Sequence, residues 1–280
     1  MSDNILATNC LNCQTSLAGE EHFCPACGQS TKTHRLTIIH FFHEVFHALT
    51  HADKGIFHLL KCLAIRPGTT AKEYLQGRRK AYFNPFTFFL LIMGVYVFLN
   101  IYSNSSVKTI RPNSAVLASM PTQAAKQKYI TRMKRVDTVS RFTRNNGNIL
   151  GMIAIPYISL ITWLFFRSKH YNYAEHLTAN MMFITFSNLL FALLVFPLLA
   201  LTRNSGAERY LVWIGLLIQS VYLAWSLNGF LSLTSTGSRI KSFSVSLLAI
   251  VLWALLTVTA MAVYIYQNKN FYQFFSRLAG

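Results

Sequence analysis

Four cysteines near the amino terminus have the residue type and spacing of a metal site. Cys10, Cys13, Cys24 and Cys27 form the pattern C-x2-C-x10-C-x2-C. Two such knuckles bring four thiolates to tetrahedral distance of one Zn²⁺ ion, and four protein ligands leave no open position for a substrate. Two disulfides are the alternative, but they imply export, and residues 1–35 carry no secretory signal. We therefore expect a structural zinc ribbon over residues 1–35.

Histidines follow the cysteines at the spacing of one helix face. Apolar residues recur with helical periodicity over 36–52, and imidazoles step by three or four residues along the other side. These imidazoles belong to His40, His43, His47 and His51. They can share a second metal ion, or they can sense pH near neutrality. The alternative, which we favour, is an amphipathic surface helix whose polar side lies among lipid headgroups.

A third group of polar residues lies at the start of an apolar stretch. Glu175 and His176 are adjacent, and Asn180 and Asn188 lie eight residues apart on nearly one helix face. A carboxylate beside an imidazole can carry protons, bind a cation or act as a general base, and the amides would extend a polar path. In the alternative, Glu175 stabilises the helix start and the amides join helices to one another. We favour this packing role.

The composition shows what kind of elements must position these groups. Hydrophobic residues are 52% of the 280 residues and charged residues only 12%, about half the share of globular domains. Five stretches without Asp, Glu, Lys or Arg are each long enough to cross ~30 Å of hydrocarbon as helices. Their apolar parts predict transmembrane helices at 86–102, 149–166, 178–201, 210–233 and 243–266. The predicted fold class is an all-α polytopic membrane protein. The same composition rules out a disordered chain and argues against a soluble enzyme.

The remaining segments complete the predicted domain organisation. Residues 36–85 form amphipathic and juxtamembrane helices, 103–148 form a basic loop, and 149–280 contain the last four transmembrane helices. Within the loop, residues 122–144 are interpreted as a basic helix on an anionic surface. The net charge of +17 favours anionic lipid headgroups over nucleic acid as the partner, because residues 10–28 contain no Lys or Arg.

Orientation is predicted less directly than the number of crossings. With five crossings, the 26 Lys and Arg residues divide equally between the two sides of the membrane, so the positive-inside rule is tied. A re-entrant segment at 86–102 would instead keep the basic loop inside. We favour five crossings and a cytoplasmic amino terminus, because basic residues 78–80 directly precede the first span. The expected location is the cytoplasmic (inner) membrane.

Residues 66–85, which we call the juxtamembrane box, contain the strongest helix-breaking signals outside the spans. Arg66-Pro67-Gly68 is expected to end one helix, and Thr69 or Thr70 to cap the next. Gly77 should break that second helix, and Pro85 should open the first span. Two short helices are therefore predicted directly before the first crossing.

The box resembles the signature of an uncharacterised family of bacterial multi-span membrane proteins. That family pairs a zinc ribbon ending in CGQ, as residues 27–29 do, with RPG-x4-EYL-x-G-x-R-x2-Y-x2-P before the first span. The matching residues are Arg66, Pro67, Gly68, Glu73, Tyr74, Leu75, Gly77, Arg79, Tyr82 and Pro85. Residues 173–177 look like a second family signature. The resemblance implies an architecture and no established activity.

The functional expectation follows by elimination. The sequence has no nucleotide-phosphate loop, nucleophile elbow or zincin motif. We expect a non-enzymatic membrane adaptor or scaffold whose ribbon binds a cytoplasmic protein, and an oligomer is compatible with the sequence. The alternatives are a transporter or channel with a path near Glu175 and His176, and a membrane-embedded enzyme acting on lipid.

Overall fold

The computed structural model describes residues 9–18, 21–31, 37, 55–103, 110–202 and 208–267. The predicted histidine-bearing helix at 36–52 lies outside these residues, apart from Thr37. His40, His43, His47 and His51 therefore stay a prediction.

Regular structure in the described residues is helical, apart from two isolated bridges in the ribbon, as the all-α prediction requires. The helices are α1 (Ile56–Ile65), α2 (Pro67–Leu75), α3 (Pro85–Ser103), α4 (Ser114–Ala118), α5 (Gln123–Asn145), α6 (Gly147–Phe165), α7 (Tyr173–Leu201), α8 (Glu208–Phe230) and α9 (Thr236–Tyr266). A 3₁₀ turn at Arg167–Lys169 connects α6 to α7.

Three helices in the described part of the chain are long and apolar enough to span a membrane: Tyr173–Val195, Tyr210–Phe230 and Thr236–Tyr266. Pro85–Leu99 and Ile149–Phe165 are shorter apolar helices. The regular structure of the described residues is thus almost entirely helical, and it includes helices suited to a membrane.

Some helices start earlier than predicted. The prediction placed each start near a charged residue, but a capping residue decides where a helix begins. Asn172 caps α7, so that helix starts five residues before the predicted 178. Ser235 caps α9, which therefore includes Arg239 and Lys241 in its first turns. In the box, α2 begins at Pro67 and not at a threonine, since proline at the first helical position has no N–H to leave unpaired.

From α6 to α9, helices that follow one another along the chain run antiparallel. Along α6 and α7, Thr162 lies beside His176, and Ser159 lies beside Asn180. The α7–α8 contact is antiparallel as well, since Asn188 bonds Gln219 while the earlier residue Phe186 stacks on the later residue Tyr222. The amino-terminal ends of α7 and α9 and the carboxyl-terminal ends of α6 and α8 therefore share one end of the bundle, here called the box end.

Helices α1 and α2 pack onto the box end. Leu59, Leu63 and Tyr74 are buried there in the same hydrophobic core as the long helices. The Tyr222 hydroxyl of α8 donates a hydrogen bond to the Leu63 carbonyl oxygen at 3.0 Å. This bond satisfies a carbonyl in the last turn of α1, which has no partner within that helix.

The crossing of α2 over α8 brings two backbones together. A Cβ on Gly68 would overlap the Phe230 nitrogen and the Ser226 carbonyl oxygen, and a Cβ on Gly229 would lie 3.1 Å from the Gly68 Cα. Gly68 therefore leaves no room for a side chain, and a Cβ on Gly229 would need the backbone at Gly68 to move by a few tenths of an ångström. The crossing gives a physical reason for the glycine in Arg66-Pro67-Gly68.

Basic helix α5 lies at the opposite end of the bundle, here called the loop end. Arg135 Nη1 donates to the Ile265 carbonyl oxygen of α9 at 3.3 Å. The Arg132 guanidinium lies over the rings of Tyr129 and Tyr266, at 5.8 and 5.7 Å from their centroids. Residues 123–145 are therefore helical and packed against the bundle.

Replacing Gly68 should destabilise the protein more than replacing another helical glycine. We expect Gly68→Ala to lower the free energy of unfolding by about 1–3 kcal/mol, since the new methyl group overlaps the backbone of α8. Gly94→Ala is the control, because a Cβ there meets nothing within 4 Å. Unfolding by denaturing detergent in mixed micelles measures both variants, and equal stability would contradict the crossing.

Candidate functional site

The four predicted cysteines come together in one cluster. The Sγ atoms of Cys10, Cys13, Cys24 and Cys27 all lie within 4.8 Å of one another. Cys10 is 3.5 Å from Cys27, and Cys13 is 3.6 Å from Cys24, so each knuckle contributes one sulfur to each close pair. None of the four is in a disulfide. The cluster can hold a metal ion.

Each knuckle is shaped by a tight backbone turn. The Gln14 N–H donates to the Cys10 carbonyl oxygen, and the Gly28 N–H donates to that of Cys24, at 2.9 and 2.8 Å. Gln14 and Gly28 both have positive φ, at 64° and 70°. Glycine adopts this conformation without strain, which accounts for Gly28 directly after the last cysteine.

The thiols differ in acidity. The Thr15 hydroxyl and backbone lower the pKa of Cys13 to about 6, whereas burial raises the pKa of Cys10 to about 11. Metal binding deprotonates every thiol ligand and therefore releases protons. The affinity of the cluster for a metal ion therefore falls in acid. A bound cation also neutralises the repulsion of four thiolates held this close.

Gln29, the second residue after the last cysteine, connects the cysteine cluster to the juxtamembrane box. Gln29 is buried, and its Oε1 accepts a hydrogen bond from the Lys80 backbone N–H at 2.9 Å. Gln29 Nε2 donates to the Ser30 carbonyl oxygen. Sequence reasoning identified the motif Cys27-Gly28-Gln29 but missed this contact, because nothing local to residue 29 points to residue 80.

Glu73 is the electrostatic centre of the box. Its carboxylate accepts hydrogen bonds from Arg66 Nη1 at 3.3 Å, Arg78 Nη1 at 2.9 Å and the Tyr82 hydroxyl at 2.5 Å. Burial alone would raise the pKa of Glu73, but Tyr82 and the two guanidinium groups outweigh burial and hold it below its usual 4.5. Burial and the Glu73 carboxylate raise the pKa of Tyr82. Both groups keep their ordinary charge at neutral pH.

Neighbouring residues hold the Glu73 carboxylate and its donors in place. Tyr82 is buried, and the His58 ring stacks on it at 5.6 Å between centroids. The Arg79 guanidinium lies 5.9 Å from the Tyr74 ring centroid. Gly77 has φ of +107°, which favours glycine. Pro67 and Pro85 are the first residues of α2 and α3. The box residues thus pack against one another, and three donors bond to the only carboxylate in the box.

Glu175 and His176 lie at the start of α7 but point to different partners. Glu175 accepts a hydrogen bond from the Asn172 backbone N–H, and the Asn172 side chain accepts from the Glu175 N–H, which is a capping box. His176 is fully buried, with Nδ1 3.2 Å from Thr162 Oγ1. The rings of Tyr171 and Phe230 form T-shaped contacts with the imidazole, at 6.4 and 5.6 Å between centroids. The two side chains have separate structural contacts.

The two asparagines of α7 bond to different neighbouring helices. Asn180 Nδ2 donates to Thr162 Oγ1 at 2.8 Å and to Ser159 Oγ at 3.3 Å, both on α6. Asn188 Oδ1 accepts from Gln219 Nε2 of α8 at 3.3 Å. Such amide bonds hold helices together within lipid.

Comparison with protein families finds a match over part of the chain. A family model described as a protein of unknown function (DUF3667) matches residues 53–97. The match contains α1, α2, the whole juxtamembrane box and most of α3. No curated protein and no solved structure matches the chain. Over this segment the chain is similar to a family without a known activity, which is consistent with the resemblance carried by the box.

The cysteine cluster should bind one metal ion per chain. We expect purified protein to contain one equivalent, and the double variant Cys24→Ser and Cys27→Ser to contain none, because it removes one sulfur from each close pair. Elemental analysis after gel filtration measures the ratio. The control is His43→Ala with His47→Ala, which leaves the sulfur ligands intact. Metal retained in the cysteine variant but lost in the histidine variant would contradict this assignment.

Acid should weaken the box through Glu73. Because its folded-state pKa lies below the unfolded value, Glu73 stabilises the fold above the unfolded pKa, and this contribution disappears as pH falls through the folded pKa. At pH 7 we expect Glu73→Gln to lower the free energy of unfolding by about 1–3 kcal/mol. The difference from wild type should shrink on acidification. Glu175→Gln is the control, since glutamine preserves a capping box, and a pH-independent difference for Glu73→Gln would contradict the prediction.

Proposed function

We propose that the protein is a non-enzymatic integral membrane adaptor, in which the juxtamembrane box holds a structural zinc ribbon at the cytoplasmic end of a five-span bundle. The observation that carries this proposal is the hydrogen bond from the Lys80 N–H to Gln29. It attaches the metal module to the box, and the glycine crossing of α2 over α8 attaches the box to the long helices.

The direction of α3 supports five crossings over a re-entrant segment. It starts at Pro85, directly after the box, and its residue Tyr96 shares a cavity with Val136 and Val139 of α5 at the loop end. A re-entrant segment would return to the box end. With α6, α7, α8 and α9 then alternating in direction, the ribbon and α5 lie on opposite sides of the membrane.

Zinc is the metal that the ligand set favours. Four thiolates with C-x2-C spacing suit tetrahedral Zn²⁺, and a site with four protein ligands is structural. Free cysteines are typical of a reducing compartment, which supports a cytoplasmic amino terminus in the inner membrane.

Polar contacts in the bundle support an adaptor over the transporter and lipid-enzyme alternatives. Glu175 caps α7, while Asn180 and Asn188 join helices. The ribbon instead offers Phe23 to a partner, with 65% of its surface exposed, beside the buried anchor Gln29. An exposed aromatic side chain on a fixed module is typical of a protein-binding surface.

Labelling from each side of the membrane tests the five crossings. In a background in which all five native cysteines are replaced by alanine, single cysteines at the exposed positions Ser119 and Thr234 are labelled with an impermeant thiol reagent. We expect Ser119→Cys to react from outside, and Thr234→Cys and an amino-terminal epitope to be reached only from inside. An epitope on the same side as Ser119→Cys would establish the re-entrant arrangement and overturn the proposed topology.

Photocrosslinking in native membranes tests the adaptor role. A photoreactive phenylalanine analogue at position 23 should crosslink one cytoplasmic protein, and the product should disappear in the Cys24→Ser, Cys27→Ser variant, which cannot hold the ribbon together. The control is the same probe at position 98, where Phe98 is 68% exposed on apolar helix α3 and should crosslink lipid. Crosslinks from position 23 to lipid or to the chain itself alone would refute the adaptor.

A further inference from the structure

Two cavities adjoin at the loop end of the bundle. The inner cavity, about 750 Å³, lies among α3, α5, α6, α7, α8 and α9. The outer cavity, about 760 Å³, lies between α5 and the end of α9. Ile265 lines both, so they meet at the last turn of α9. Both fall within the range of about 300–1,000 Å³ that is usual for ligand sites.

The inner cavity has mainly apolar walls. Met93, Leu150, Phe191 and Trp253 are typical of its lining. Small residues such as Gly147 and Gly151 on α6 leave room that larger side chains would fill. Its polar lining is limited to a few side chains, and two of these, Asn188 and Gln219, bond to each other. The remaining apolar walls lack dispersion contacts across a space of this size. A hydrocarbon chain is the occupant that these walls suit.

The outer cavity is cationic. Lys128, Arg132 and Arg135 line it, and its described lining contains no acidic residue. Aromatic rings hold the Arg132 guanidinium, and the Ile265 carbonyl oxygen holds Arg135. No described carboxylate forms an ion pair with either of these two cations.

The acidic residue of α5 does not neutralise this cavity. Asp137 is buried and accepts hydrogen bonds from Arg141 and from the Ile110 N–H. Helix α5 otherwise carries seven basic residues. Three of these, Lys128, Arg132 and Arg135, line the outer cavity, and their positive charge suits a phosphate group.

We infer that the two cavities together bind an anionic phospholipid, with an acyl chain in the inner cavity and the phosphate between Arg132 and Arg135 in the outer cavity. A soluble anion would leave the apolar walls bare, and a neutral lipid would leave the cations without a counter-charge. This lipid site lies at the end of the bundle opposite the zinc ribbon. It goes beyond the proposed adaptor function and does not depend on it.

Native mass spectrometry of the full-length protein tests the headgroup site, with phosphatidylglycerol and phosphatidylcholine as competing probes. Wild-type protein should retain one phosphatidylglycerol in preference to phosphatidylcholine. In Arg132→Gln with Arg135→Gln, affinity for phosphatidylglycerol should fall about thirtyfold. The matched control is Lys126→Gln with Lys134→Gln, which removes the same charge from the same helix but lines neither cavity. It should bind as wild type does.

A second pair of variants tests the acyl-chain cavity. Ser140 of α5 lines the inner cavity. Ser140→Phe should fill the space and abolish retention of phosphatidylglycerol, whereas Ser140→Ala should retain it. Thermal unfolding without added lipid checks that each variant is folded. If Ser140→Phe does not fold, competition of wild-type binding by a short-chain phosphatidylglycerol replaces it, with at least tenfold weaker binding expected.

Three results would overturn the inference. The first is equal retention of the two lipids by wild-type protein. The second is an equal loss in the arginine and lysine variants, which would indicate general attraction to a basic surface. The third is undiminished binding by a folded Ser140→Phe variant or by the short-chain lipid. Removal of the zinc ligands should leave lipid binding unchanged, so failure of the lipid site and failure of the adaptor remain distinguishable.

Discussion

The close approach of Gly68 to Gly229 is the contact on which the arrangement of this protein depends. A side chain at Gly68 would overlap the backbone of α8 and separate the two helices. Because the two helices touch, the Glu73 centre of the box lies against the bundle, and the Lys80 N–H is placed where Gln29 accepts from it. The cysteine module is thereby attached to the long helices through a short series of contacts, and Gly68, Glu73 and Lys80 of that series lie within the segment 53–97 matched by the family of unknown function.

Buried polar residues in the bundle follow the constraint that lipid imposes on hydrogen bonding. Ser226 donates to the carbonyl oxygen one turn earlier in α8, and Thr178 does the same in α7. Hydroxyls paired in this way carry no unmet hydrogen bond into the hydrocarbon region. Asn180 and Gln219 instead reach neighbouring helices. Most of these side chains therefore have a structural role. Among the described residues, His176 Nε2, Asn180 Oδ1, Thr185 Oγ1, Asn228 Oδ1 and Ser246 Oγ are buried without a hydrogen-bond partner.

The sequence predicts the features of this protein that depend on local pattern. The absence of charge predicts apolar helices, and cysteine spacing predicts a cluster of four sulfurs. Helix bounds were less accurate for α7 and α9, because a hydropathy argument stops at the nearest charge while Asn172 and Ser235 cap the helices earlier. The reason for Gly68 and the link from Gln29 to Lys80 could not be predicted, since each joins residues distant along the chain. The two cavities could not be predicted either, because they form where helices distant along the chain pack together.

Hydrogen exchange at the Lys80 amide tests most directly whether the metal module is held on the box. The amide proton of Lys80 is the donor to Gln29, so Gln29→Ala should speed its exchange about threefold to tenfold, as loss of one hydrogen bond implies. His22→Ala, an exposed change in the same module, should leave the rate at its wild-type value. An unchanged rate in Gln29→Ala would mean that the ribbon is not docked, and the account of a fixed adaptor module would be wrong.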